Sequence, residues 1–229
     1  PLNDENRLRT ILIGGLLSVL SVFVIPIFFL QGYYVRVLRG VTNGDERAPR
    51  FDEWGDLFVD GLKLFAVNII VSIGVFVVLL VVGAVFGGGG SLLSGAGPAT
   101  DPGPGGNGLA ALFGVAGFLV FLAVVVVLGY VAPAMFANFA REDSLAAAFD
   151  VSTIIAGVTT GDYLVAWVLA IAVGIVLGSI ASLLSIVLVG IFGLFYVQIV
   201  TYYLFARGFA DGLAGSGNRG GATAGASEL

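Results

Sequence analysis

Charges are spaced far apart along this chain. None falls between Arg9 and Arg36, between Lys63 and Asp101, between Asp101 and Arg141, or between Asp162 and Arg207. About 20 apolar residues cross a bilayer as one helix. Each of the first three stretches fits one crossing, and the last is long enough for two. The pattern predicts an all-α membrane protein with five transmembrane helices, at residues 11–30, 64–86, 109–135, 163–184 and 190–209. The apolar runs are continuous, as in 120–127, where a barrel strand would alternate. Helices also satisfy their own backbone groups in lipid. Pro26 predicts a kink in the first span.

The polar positions predict the connections. Residues 39–50 carry turn signals at Thr42-Asn43-Gly44 and Pro49. In 51–65, Phe51, Trp54, Phe58, Leu62 and Phe65 share one helical face, and Asp52, Glu53, Asp56, Asp60 and Lys63 take the other. That is an amphipathic helix, expected in the interface as an elbow before the second span, with Trp54 at headgroup depth and Asp60-Gly61 near its end. Ser144 predicts the N-cap of a second short amphipathic helix with Leu145, Ala148, Phe149, Ser152 and Ile155 on one face. Residues 87–108 are Gly/Pro/Ser-rich and read as a flexible loop. The Gly run at 87–90 lacks the Lys-Ser/Thr of a phosphate-binding loop. From Asp211 onward the composition predicts a disordered tail. The expected layout is one multi-span domain over 1–210 and a tail over 211–229.

Composition agrees with a membrane protein. Hydrophobic residues make up 58% and charged residues 11% of the chain, against about 45–50% and about 25% in soluble domains. With no Cys and no His, thiol chemistry, a histidine base and Cys/His metal sites are excluded. No aspartate pair lies within the spans. No enzymatic activity, cofactor or metal is expected. The net charge of −5 and acidic soluble segments point to a halophilic, archaeal source. Residues 11–30 are expected to be retained, since no small-x-small cleavage site follows them.

Three spans end alike, in YYVR, NFAR and LFAR. Arg36, Arg141 and Arg207, with Tyr34, Phe139 and Phe205, either anchor helix ends at the headgroups or converge on an anion or lipid headgroup. The first two ends belong to a unit used twice in parallel: a Pro-bearing span, an Arg end, a polar link, an amphipathic helix and a second span. With five spans, the excess of Arg and Lys places the C-terminus in the cytoplasm and the N-terminus outside. Arg7 and Arg9 dissent; if they are inside, the first segment is a re-entrant hairpin or the span count is off by one. Asn68 and Gln198 are candidates for hydrogen bonds between helices. Ala166, Ala170, Gly174, Gly178 and Ser182 form a small-residue stripe for close helix packing, within this chain or in a homo-oligomer. Expected partners are the lipid bilayer and a membrane or cytoplasmic protein, with no nucleic acid. Two functions follow: a non-catalytic membrane component that binds a partner protein, or a transporter-like or lipid-handling protein with its site at the cytoplasmic helix ends.

Gly32-Tyr33, then Pro49-x-Phe51-Asp52-x-Trp54, then Asp60-Gly61-Leu62 form a pattern that resembles an archaeal integral-membrane family, the domain of unknown function four-zero-one-three. The resemblance covers most of the chain except the Gly loop and tail. It implies a multi-span protein of the cell membrane and no particular activity.

Overall fold

The structure is a computed structural model, and it describes residues 7–45, 49–88, 106–187 and 189–226. Every regular element among them is helical. The α-helices are α1 (Arg7–Leu20), α2 (Val24–Thr42), α3 (Trp54–Val82), α4 (Gly106–Glu142), α5 (Val151–Val158), α6 (Gly161–Leu184) and α7 (Val189–Ala226). A π-helical turn, Gly83–Gly88, continues α3, and 3-10 turns occupy Leu145–Phe149 and Ser185–Val187. Four helices are long and apolar enough to cross a membrane: Trp54–Gly88, Ala111–Glu142, Gly161–Leu184 and Val189–Gly217. The chain is a membrane protein.

Two compact units result. One joins residues 1–67 with 130–229, and the other is Asn68–Gly129. In the second unit, Phe86 packs toward Phe113 with ring centroids 6.5 Å apart, and Gly117 makes room for the Phe86 side chain. The most apolar stretches of α3 and α4 bury none of their residues in the protein. Side chains such as Ile73, Phe76, Phe118 and Val127 remain outward, as expected where lipid is the solvent. Most of the loop expected at 87–108 lies outside the described residues; 87–88 and 106–108 are helical.

The first unit departs from the expected first span. Residues 11–30 are divided between α1 and α2 by a break at 21–23. Serines make the break possible. Ser18 Oγ donates to the Gly14 carbonyl at 2.8 Å, Ser21 Oγ donates to the Ser18 carbonyl at 2.5 Å, and Phe23 N–H donates to Leu20 at 2.8 Å. The last two meet carbonyls that the break frees, those of Ser18 and Leu20, and the first lies within the helix before it. Pro26 then sits in the first turn of α2, where a missing N–H costs nothing; it starts a helix and does not kink one. The chain doubles back, because Arg9, Thr10 and Ile13 near the start of α1 share a cavity with Arg50, Phe51 and Asp52 beyond the end of α2. α1 and α2 form a helical hairpin, and its tip, Val22 to Ile25, is apolar and exposed.

α7 packs along this hairpin. Gly14 and Gly15 receive the rings of Phe195 and Phe192, which a Cβ at either glycine would displace. Leu30, Tyr33, Val37, Phe51, Leu57, Phe195 and Ile199 form one buried cluster. α7 also lies along α6. Gly208 meets Ala166 there, and Gly190 meets the Ala181 carbonyl. The helix runs on to Ala226 where a disordered tail was expected from Asp211. Packing overrides composition at its start: Phe209 is fully buried, and Gly212 lies against Gly157 and Thr160.

Candidate functional site

The amphipathic segment expected as a separate elbow is the first part of α3 itself, continuous with the span. Its buried face is also not the expected one. Leu57, Asp60, Gly61, Leu64 and Val67 point inward, while Trp54, Leu62 and Phe65 are 45%, 48% and 38% exposed. Small residues explain this choice. A Cβ on Gly32 would collide with the Leu57 carbonyl oxygen, and one on Gly61 with that of Phe28. α2 and α3 therefore cross backbone against backbone, which only glycine permits at both points. Phe58 stays in the crossing as a ring partner of Phe28 and Phe29, at 5.5 Å from each. Phe51, buried, stacks on Tyr33 at 4.2 Å and an interplanar angle of 9°, and Tyr33 donates its hydroxyl to the Pro49 carbonyl at 3.2 Å.

This crossing carries an ion-pair network. Arg36 donates to the Asp52 carboxylate at 2.7 Å and to the Glu53 carboxylate at 3.3 Å, and also to both backbone carbonyls. It fixes the turn that begins α3. Arg39 spans further. Its guanidinium reaches the two Asp60 oxygens at 3.0 and 3.4 Å, the Asp143 carboxylate at 3.1 Å and, through Nε, the Ala140 carbonyl at 3.1 Å. Lys63 adds a contact of 3.0 Å to Asp143. α2, α3 and the end of α4 are thus tied through one side chain. The Asp60 carboxylate is only 9% exposed, so it depends on Arg39 for its counter-charge. Asp143 and Glu53 are non-glycine residues at positive φ, 49° and 48°. Glycine would fit both positions with less strain, and in each the carboxylate that glycine lacks closes an ion pair.

Each of the three helix-end arginines is engaged with its own local carboxylate. Arg36 holds Asp52 and Glu53, Arg141 holds Glu142 at 3.0 Å, and Arg207 lies 3.8 Å from Asp211. Their aromatic neighbours are packed to different degrees. Phe139 is fully buried, Tyr34 stacks toward Tyr202 at 5.1 Å, and Phe205 is half-buried. Phe139 and Tyr34 thus pack against other parts of the protein. The expected stripe on α6 is loosely used. Nothing approaches a Cβ position on Gly178, only Thr201 at 3.9 Å approaches Gly174, and Ser182 is exposed; Ala170 and Ala181, with the α7 glycines, make the close contacts.

A second corner joins α4 to α6. Asn138 Nδ2 donates to the Ala147 carbonyl at 2.8 Å and its Oδ1 accepts from Arg141 at 2.9 Å. Tyr163 donates to the Tyr130 carbonyl and Tyr130 to the Val158 carbonyl, both at 2.6 Å. Asp150 caps α5 by accepting from Ser152 and Thr153. Hydrogen bonds from the Thr153 and Ser152 hydroxyls hold its pKa down at about 2. Among the described residues Gln31 Oε1 and Arg141 Nε are buried without a partner, and no acidic cluster is arranged to hold a metal.

Sequence reasoning missed Arg39 as the centre of the network and placed Asp60 on a solvent face. The available signal was the spacing Leu57-Asp60-Gly61-Leu64, a helical stripe that contains the glycine.

A family model described as a protein of unknown function (DUF4013) matches residues 16–186. No curated protein and no solved structure matches the chain.

Proposed function

The chain belongs to this family of proteins of unknown function, and we propose that it is a non-catalytic membrane component whose charged end binds a partner protein. The observation that carries this reading is the ion-pair corner: most of the carboxylates that hold its helices stay largely exposed and form an acidic rim. Asp52, Glu53, Glu142 and Asp143 keep 60%, 71%, 53% and 55% of their side chains exposed while paired with arginine. Trp54, next to Glu53, is also exposed. Such a rim suits a partner that presents basic and apolar side chains. The absence of Cys and His from the chain supports a role without catalysis.

In the proposed topology α1–α2 is a re-entrant hairpin, and four spans follow it. α1 has 14 residues, about 21 Å of helix, short of a hydrocarbon core of about 30 Å. Both termini then lie on the cytoplasmic side, in place of an N-terminus outside. All ten basic residues fall on that side of the four spans, so Arg7 and Arg9 cease to dissent from the positive-inside rule. A parallel repeat remains part of the reading, its first copy the α2 arm of the hairpin with α3 and its second α4 with α6, supported by the shared order of Pro, Arg, link and span at both corners. The acidic composition supports a halophilic archaeal membrane as its setting.

Photo-crosslinking from a probe at Trp54 in native membranes tests the partner reading. A discrete protein adduct lost on charge reversal of Asp56 and Glu142 is expected. Adducts with lipid alone would overturn it.

A further inference from the structure

The cavity between the start of α1 and the segment leading into α3 has not been given a role by the corner network. It measures ≈ 130 Å³ and is lined by Arg9, Thr10, Ile13, Arg50, Phe51 and Asp52. We propose that Arg9 and Arg50 bind a phosphate group here, at the membrane surface.

Charge accounting points to an anion. Asp52 is the one acid in the lining, and its carboxylate already lies 2.7 Å from Arg36. Among the described residues neither Arg9 nor Arg50 has an ion-pair partner. Both residues are exposed, and two cationic residues that line one small cavity repel each other unless an anion lies between them. Their planar donor forks match the oxygens of a phosphate. The cavity holds roughly ten times the space that one water needs, enough for a phosphate group. Phe51 and Ile13 give it apolar walls, which strengthen the attraction. A lipid could supply that phosphate, because α1 turns Leu8, Leu12 and Leu16 outward at 68%, 60% and 55% exposure. That stripe, one helical turn per residue, is a surface for acyl chains. Free phosphate offers the same oxygens without the chains.

Native mass spectrometry of the full chain, released from vesicles of phosphatidylglycerol and phosphatidylcholine, tests the site. One retained phosphatidylglycerol per chain is expected for the wild type. R9Q and R50Q should each weaken retention about fivefold, and the double variant about 25-fold. R9K/R50K should retain most of the binding, and R207Q should leave it unchanged. Should R9Q/R50Q lose its helical circular dichroism, R50Q alone carries the comparison, since Arg50 lies outside any helix. Inorganic phosphate is titrated in parallel. If it binds the wild type with the same arginine dependence and no lipid is retained, free phosphate is the ligand. Retention of phosphatidylglycerol equal in the wild type and R50Q, or no binding of either probe to the wild type, overturns the proposal.

Discussion

The corner from α2 to α3 and the corner from α4 to α6 do the same job with different chemistry. Each follows a proline-bearing helix that ends in arginine. At the first, two helices cross at Gly32 and Gly61 and are locked by charge: Arg36 on Asp52 and Glu53, Arg39 on Asp60. At the second, a 3-10 turn and α5 intervene, and the locks are mainly neutral hydrogen bonds from Asn138, Tyr130 and Tyr163 to backbone carbonyls. Both corners bond backbone carbonyls with side chains, those of Asp52, Glu53 and Ala140 at the first and those of Ala147, Val158 and Tyr130 at the second. The donors differ: charged guanidiniums, which also hold carboxylates, at the first, and mainly neutral amide and hydroxyl groups at the second. The first corner should therefore be sensitive to the removal of one charge, and the second should lose stability by small steps.

The largest effect is expected from Arg39→Leu. It strands the buried Asp60 carboxylate and should cost about 3–5 kcal/mol in a denaturation assay in detergent. Asp60→Leu added to it should restore part of the loss, because the uncompensated charge is then gone. Next comes Gly61→Ala. Its Cβ would meet the Phe28 carbonyl, and separating α2 from α3 should cost about 3 kcal/mol. At the neutral corner, Tyr163→Phe leaves the Tyr130 carbonyl without its donor and should cost about 1–2 kcal/mol. That loss should be the same at low and high salt, whereas the exposed Arg36 pairs should weaken in salt. A smaller effect follows from the Asp150 cap. Its pKa is lowered from 3.8 to about 2, so its contribution is complete above pH ~4 and disappears as the pH falls toward ~2. Asp150→Asn should flatten that part of the pH–stability curve. Smallest of all, Gly178→Ala should change stability by less than about 0.5 kcal/mol, because open space surrounds the Cβ position.

Charge spacing was enough to make four of the helices legible, since long runs without charge have few other uses. The break at Ser21 was not legible. Pro26 drew attention to a kink, yet the Ser21 hydroxyl that meets a freed backbone carbonyl lies upstream of it. The face of α3 was misjudged for a reason peculiar to lipid. In water the largest apolar residues turn inward. In a bilayer the large residues Phe65 and Leu62 can face acyl chains while Gly61 turns toward the neighbouring helix. Asp60 followed Gly61 inward because Arg39 reached it from α2, 21 positions earlier. Such a partnership has no local sequence signature. The motif Gly32-Tyr33, Pro49 to Trp54 and Asp60-Gly61-Leu62 was visible as a pattern. Its meaning, a glycine crossing stacked on Tyr33–Phe51 and closed by Arg39, required the fold.

The proposed re-entrant hairpin of α1 and α2 returns the chain to its starting side of the membrane. Labelling of single cysteines with a membrane-impermeant maleimide tests it directly, since the native chain has no Cys. Asn6→Cys and Asn43→Cys should react from the same side of sealed vesicles, and Gly103→Cys from the other. Reaction of Asn6→Cys from the same side as Gly103→Cys would make residues 11–30 a single crossing and contradict the hairpin.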